Sequence, residues 1–125
     1  MYEKYRHDAA FFVVYIGEAH PSDAWQLPSN IRDGVVYSSP TDADERANLA
    51  EICITKLSIK LPALVDGIDD STDNAYSGWP DRLFLIGRDG RIVYRSNPGP
   101  FGFKPAELER ALLIQLPAER RSIGN

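Results

Sequence analysis

The run Phe11-Phe12-Val13-Val14-Tyr15-Ile16 limits the folds open to this chain more than any other segment. It is too short for a helix and lacks the polar alternation of a strand with one wet face, so it predicts a strand over residues 11–16 covered on both faces. Such a strand needs helices above and below it, which makes the class α/β. The run then breaks into Gly17-Glu18-Ala19-His20-Pro21-Ser22-Asp23-Ala24-Trp25, setting a carboxylate, an imidazole and an indole within a few residues of each other. Open α/β sheets hold their ligands at the carboxyl ends of strands. Glu18, His20 and Trp25 are therefore the first candidates for a functional site.

Outward from that strand the periodicity alternates between helix and strand. Tyr2, Tyr5 and Ala9 share a face and predict the end of a helix over residues 2–10. Residues 20–40, with Pro21, Pro28, Gly34 and Pro40, read as a long ordered loop holding an extended piece, Val35-Val36-Tyr37. Thr41-Asp42-Ala43-Asp44-Glu45 opens a helix with a capping residue and first-turn acids, and it runs to about Lys56 with Leu49, Ala50, Cys53 and Leu57 at core spacing. Pro62-Ala63-Leu64-Val65-Asp66 predicts a second strand, then a polar loop and a short helix from Ser71 to Tyr76. Arg82–Ile86 and Arg91–Arg95 flank Gly87-Arg88-Asp89-Gly90, a hairpin whose Asp-Gly supplies the positive φ of a tight turn. Asn97-Pro98-Gly99-Pro100-Phe101-Gly102-Phe103 reads as a rigid aromatic turn, and Pro105 opens a last helix with Leu108, Ala111, Leu112 and Leu116 on one face. These elements fit one domain over residues 1–125.

Composition narrows the function classes. With 43% hydrophobic and 26% charged residues the chain can build a core and stay solvated. A net charge of -4, with Arg120-Arg121 an isolated basic pair, argues against nucleic acid or an anionic membrane as the main partner. No apolar run approaches the roughly 20 residues that span a bilayer, and residues 1–8 lack the apolar centre of a signal peptide, so the chain reads as cytoplasmic. Its 1 cysteine excludes an internal disulfide and a Cys-rich zinc site, and no cofactor is predicted. Cys53, in a core stripe, reads as a buried inert thiol, and His7 as a surface residue. Asp66, Asp69, Asp70 and Asp73 miss the spacing of a calcium loop and read as loop and helix-cap acids, so no metal site is predicted. Trp25, Trp79, Phe101 and Phe103 read as core and loop packing, or as the lining of an aromatic-binding groove. Glu18 and His20, taken alone, also fit a solvated cap after a strand.

The element order, with Trp79-Pro80 directly before the hairpin, resembles the thioredoxin and peroxiredoxin architecture, in which a proline there is commonly cis and faces the redox centre. More specifically, Val14-Tyr15-Ile16 with Glu18-Ala19-His20-Pro21-Ser22-Asp23 and Trp25, then Asp81-Arg82-Leu83 and Pro98-Gly99-Pro100 with Gly102, resembles the iodothyronine deiodinases and their bacterial deiodinase-like relatives over nearly the whole chain. The resemblance implies a thioredoxin-like mixed sheet flanked by helices and a redox protein acting on a small-molecule or thiol substrate. The reaction would be thiol-dependent reductive dehalogenation, or reduction of a peroxide or disulfide, by a selenocysteine or cysteine near the start of the first helix. It makes Glu18 and His20 catalytic and Arg82 a fork for a substrate carboxylate, with Trp25 and Pro80 beside it in substrate binding.

This sequence has neither selenocysteine nor cysteine near its start, and Ser38, Ser39 and Pro40 stand where the family has a further histidine. The family's first strand and nucleophile turn would precede Met1, so the chain reads as N-terminally truncated. Two expectations follow. Either the reading frame was opened after a selenocysteine UGA codon, roughly 15 to 20 residues upstream, or the chain is a non-catalytic interaction or scaffold module. In the chain as given, the strands at 11–16 and 82–86 would pair directly or drive a homodimer through exposed edges.

Overall fold

A parallel pair of strands cannot be closed by a tight turn, and here a helix makes the crossover. In the computed structural model, which describes residues 1–18 and 38–121, β1 (Val13–Tyr15) pairs in parallel with β2 (Ala63–Val65), Val13 opposite Ala63 and Tyr15 opposite Val65. Bonds from Val13 N–H to the Pro62 carbonyl (3.0 Å) and from Asp66 N–H to the Tyr15 carbonyl (2.8 Å) extend the ladder at both ends. Between them runs α2 (Ala43–Lys56), numbered after α1 (Tyr2–Tyr5). Asp42 caps it, accepting from Glu45 N–H at 2.8 Å, while the Glu45 carboxylate reaches back to the Thr41 N–H (2.7 Å) and hydroxyl (2.8 Å). This is the reciprocal satisfaction of helix-end donors that the acid-rich opening predicts. A short helix, α3 (Ser71–Tyr76), follows β2. Strands β1 and β2 and helices α2 and α3 belong to one compact unit, Ala10–Trp79.

The far end of α2 closes with a pair of reversed bonds, Ile59 N–H to the Ile54 carbonyl (3.0 Å) and Ser58 N–H to the Thr55 carbonyl (3.2 Å). That pattern needs a left-handed residue, and Ser58 supplies it with φ 52, a conformation in which only glycine avoids a Cβ penalty. Ser58→Gly is expected to raise stability by about 0.5 kcal/mol, read as a shift of the urea midpoint at unchanged slope.

The second unit comprises Met1–Ala9 and Pro80–Asn125. Its hairpin joins β3 (Phe84–Ile86) to β4 (Ile92–Arg95), antiparallel, with Ile86 opposite Ile92 and Leu85 opposite Tyr94, so that Val93 bulges out of register. Gly90 takes φ 79, the positive value the Asp-Gly pair predicts. After the turn at 96–104, α4 (Pro105–Gln115) begins on its proline and buries Leu112, with Leu116 buried just past its end. A last turn, α5 (Ala118–Arg121), sends Arg121 back to the carbonyls of Leu116 and Ile114, both at 2.8 Å. The buried Tyr5 of α1 donates its hydroxyl to Glu109 at 2.6 Å.

Several sequence expectations are corrected. The first helix stops at Tyr5 rather than Ala10, and each strand is shorter than its apolar run. The 11–16 run is not covered on both faces, for Phe12 and Val14 are exposed while Val13 and Tyr15 are half-buried. Side chains alternate across a strand, and β2, whose own residues are all exposed, gives this one no second layer. Among the described residues β1 pairs with β2 and β3 pairs with β4. Trp79, Phe101 and Phe103 are exposed rather than packed, Phe101 at 92%. The turn around Gly102 closes on backbone, which leaves its aromatic rings outside. The stretch Val35-Val36-Tyr37 lies outside the described residues.

Candidate functional site

Glu18 stands just past the carboxyl end of β1, where Ile16 and Gly17 lead the chain off the ladder. Its side chain is half-buried, and Oε1 is buried without a hydrogen-bond partner among the described residues. Burial pushes the carboxyl above its ordinary range, and the charge of Arg46 opposes that rise.

Arg46 sits on α2 and is only 5% exposed, although its place in the chain is a helix interior. Its Nη1 donates to the Gly67 carbonyl, and its Nη2 lies 2.8 Å from Asp70 Oδ1, tying α2 to the turn after β2. Its Nε is buried without a partner. Gly17 is where the strand end meets this ion pair, since a Cβ built there would lie 3.9 Å from both Arg46 Nη2 and Asp70 Oδ1.

Asp66 ends β2 and is 4% exposed. It accepts from the backbone N–H groups of Gly67 (2.8 Å), Thr72 (2.9 Å) and Asp73 (2.8 Å), so one carboxylate fixes the turn and satisfies the opening donors of α3. Burial acts against its ionisation, but the donors from Asp73, Thr72 and Gly67 outweigh that and hold it below the usual carboxylate range. Asp66 is therefore a structural cap, as one reading of the acid-rich loop predicts. Trp79 closes the segment, its N–H bound to Asp73 Oδ1 at 2.8 Å and its indole N–H reaching toward the Glu18 carbonyl at 3.5 Å.

Cys53 is half-buried on α2, and burial, then the Glu18 charge, push its thiol up against the opposing charge of Lys56. A thiol kept protonated in this way is a poor nucleophile.

Arg82 and Pro80 belong to the other unit. Arg82 commits its Nε to the Ser96 carbonyl at 2.9 Å. The buried Ser96 hydroxyl accepts from Leu83 N–H at 3.0 Å and donates to the Asn97 carbonyl at 2.8 Å, so the guanidinium is held by a residue that is itself fixed at the mouth of the hairpin. Pro80 is half-buried, and the cis X-Pro bond among the described residues is Gly99-Pro100, not Trp79-Pro80 as the thioredoxin pattern implies. An X-Pro bond tolerates both isomers, and a proline's place in the sequence does not choose between them. His20 and Trp25 lie outside the described residues. Sequence reasoning missed Arg46, although a cation four residues before Ala50 and seven before Cys53, on their stripe, was a legible signal.

A parallel β-α-β crossover that delivers an acid to its strand end, and a hairpin of the same chain, make this an α/β protein of the thioredoxin-like class. A model of the iodothyronine deiodinase family matches residues 1–116. The thyroxine 5-deiodinase of Sparus aurata is 33% identical over 111 residues, which cover 87% of this chain and 39% of that protein. That of Ovis aries is 31% identical over 107 residues, 84% of this chain and 34% of its own length. The type I iodothyronine deiodinase of Xenopus laevis is 29% identical over 100 residues, 80% of this chain and 37% of that protein. This chain belongs to the iodothyronine deiodinase family. It spans about two fifths or less of the length of these relatives. Among the described residues no helix is long and apolar enough to cross a membrane.

Proposed function

We propose that this chain forms a single thioredoxin-like domain carrying the proton-handling and substrate-binding groups of a thiol-dependent reductase of deiodinase type. The observation that carries the reading is Glu18, a half-buried carboxyl at a strand end with an unpartnered oxygen and a raised pKa. A perturbed acid at that place in an α/β fold is a common mark of a working site. Family membership makes reductive chemistry the reaction class. Cys53, with its thiol held up by burial and by Glu18, is unsuited to attack, so the nucleophile is a selenocysteine or cysteine preceding Met1.

In this reading the selenolate or thiolate attacks the halogen of a carbon–halogen bond. The halogen passes to selenium or sulfur, and the electron pair left on carbon takes a proton from His20, which Glu18 orients and recharges. Two molecules of an external thiol then reduce the chalcogen–halogen bond. Halide leaves, the nucleophile returns as its anion, and the two thiols end as a disulfide. Arg82 binds a carboxylate of the substrate, and Trp25 and Pro80 contribute to substrate binding.

The test is to express the open reading frame extended through the first upstream TGA or cysteine codon and assay thiol-dependent reduction of an iodinated phenol, a peroxide and a small disulfide. Glu18→Gln and His20→Ala are each expected to lower kcat about a hundredfold, while Arg82→Lys mainly raises KM. An extended protein that reduces none of the three substrates overturns the reading.

The exposed Val14, Leu64 and Val65 on the β1–β2 ladder, with Phe12 just before it, favour a second reading, a non-catalytic module that dimerises through exposed sheet edges. Sedimentation equilibrium of the 125-residue chain decides it, a dimer supporting this reading and a monomer ending it.

A further inference from the structure

We propose that Arg46 is a positioning residue for Glu18, its buried guanidinium favouring the charged form of the strand-end carboxyl while it clamps the turn after β2. The inference rests on the reading of Glu18 given above and adds the group that sets its charge. Three features within the Ala10–Trp79 unit carry it. A guanidinium cannot shed its proton, so a cation at 5% exposure must be compensated where it lies. Its Nη atoms have partners in Gly67 and Asp70, and its Nε has none. The strand end approaches the same guanidinium, for a Cβ built on Gly17 would lie 3.9 Å from Nη2, and the next residue, Glu18, holds a buried oxygen with no partner among the described residues.

One full negative charge on Asp70 already balances Arg46, and Asp70 is 44% exposed. The oxygen facing Arg46 is buried while the rest of the carboxylate is open to water, so Asp70 offsets only part of the field of Arg46 at Glu18. Burial raises the pKa of the Glu18 carboxyl, and the attraction of Arg46 acts against that rise. Among the described residues, Cys53 on α2 feels the charges of Glu18 and Lys56, and Asp66 stands at the end of β2. Asp66 is spent on the opening of α3, so Asp70 is the residue that competes with Glu18 for the guanidinium.

The measurement is the titration of the Glu18 side-chain carboxyl by carbon-13 NMR in the 125-residue chain, in which every variant keeps the same single cysteine. Arg46→Met is expected to raise the Glu18 pKa by about one pH unit or more, with Arg46→Lys restoring part of the fall. Asp70→Asn is expected to move it the other way, because the guanidinium then has one anion to serve instead of two. If Arg46→Met does not fold, Asp70→Asn decides the matter. A purely structural clamp would leave the Glu18 titration unmoved in every folded variant, and that result overturns the proposal. Should the titration shift as expected while Glu18→Gln leaves turnover of the extended enzyme intact, the coupling stands and the catalytic reading of Glu18 falls.

Discussion

Asp66→Ala should unfold at markedly lower denaturant, with a loss of about 3 kcal/mol. The carboxylate is 4% exposed and serves three backbone donors, those of Gly67, Thr72 and Asp73. Alanine leaves three N–H groups to be satisfied by whatever water can enter, and an uncapped opening of α3. Each lost bond to a charged acceptor is worth about 1.5–3 kcal/mol, and partial hydration of the vacated site keeps the total below their sum. Asp66→Asn keeps one acceptor oxygen and should recover about half. The pH dependence separates charge from shape. Because the folded carboxyl lies below its unfolded value of 3.8, the stability it contributes is fully present above that pH and is lost as pH falls through the lower folded value. The wild-type chain should therefore show an acid limb in its stability profile, and in Asp66→Asn that limb should flatten. An unchanged urea midpoint for Asp66→Ala would mean that α3 is capped by some other group.

Much of this architecture is legible in the sequence, and what is not has physical reasons. The hairpin around Gly90, the capped start of α2, the helix at Ser71–Tyr76 and the proline opening of α4 follow from local chemistry, namely positive φ, capping oxygens and a missing N–H. Such signals act within a few residues, so a single sequence contains them. The strand at 11–16 shows the opposite case, because coverage of a face depends on what packs against it from far along the chain. The site divides the same way. Glu18 is marked by its place after an apolar run, whereas the tie of Arg46 to Asp70 and Gly67 spans more than twenty residues and was hidden by the convention that a helix stripe is apolar. The acids of the 66–73 loop look alike in sequence, and only three-dimensional placement separates Asp66, which caps a helix, from Asp70, which meets a buried cation.

Gly102→Ala is expected to cost about 3 kcal/mol, more than glycine's conformational freedom alone would suggest. A Cβ at that position would collide with the Asn97 carbonyl group and the Pro98 carbonyl oxygen. Both are backbone, held by the Gly102 N–H bond to Pro98 at 3.1 Å and by the Ser96 hydroxyl bond to the Asn97 carbonyl at 2.8 Å. A flexible side chain could swing aside, but a carbonyl in a closed turn can move only by opening the turn. Opening it would also disturb Ser96, which holds both Leu83 N–H and Arg82 Nε, so the substitution should loosen the predicted substrate fork as well as lower stability. Gly90→Ala provides the contrast. That residue has nothing within 4 Å of a new Cβ and pays only for φ +79, about 1 kcal/mol. Urea unfolding of the two variants side by side tests the distinction. Equal losses would show that the 96–104 turn yields to a methyl group and that its tight closure is not what fixes the hairpin mouth.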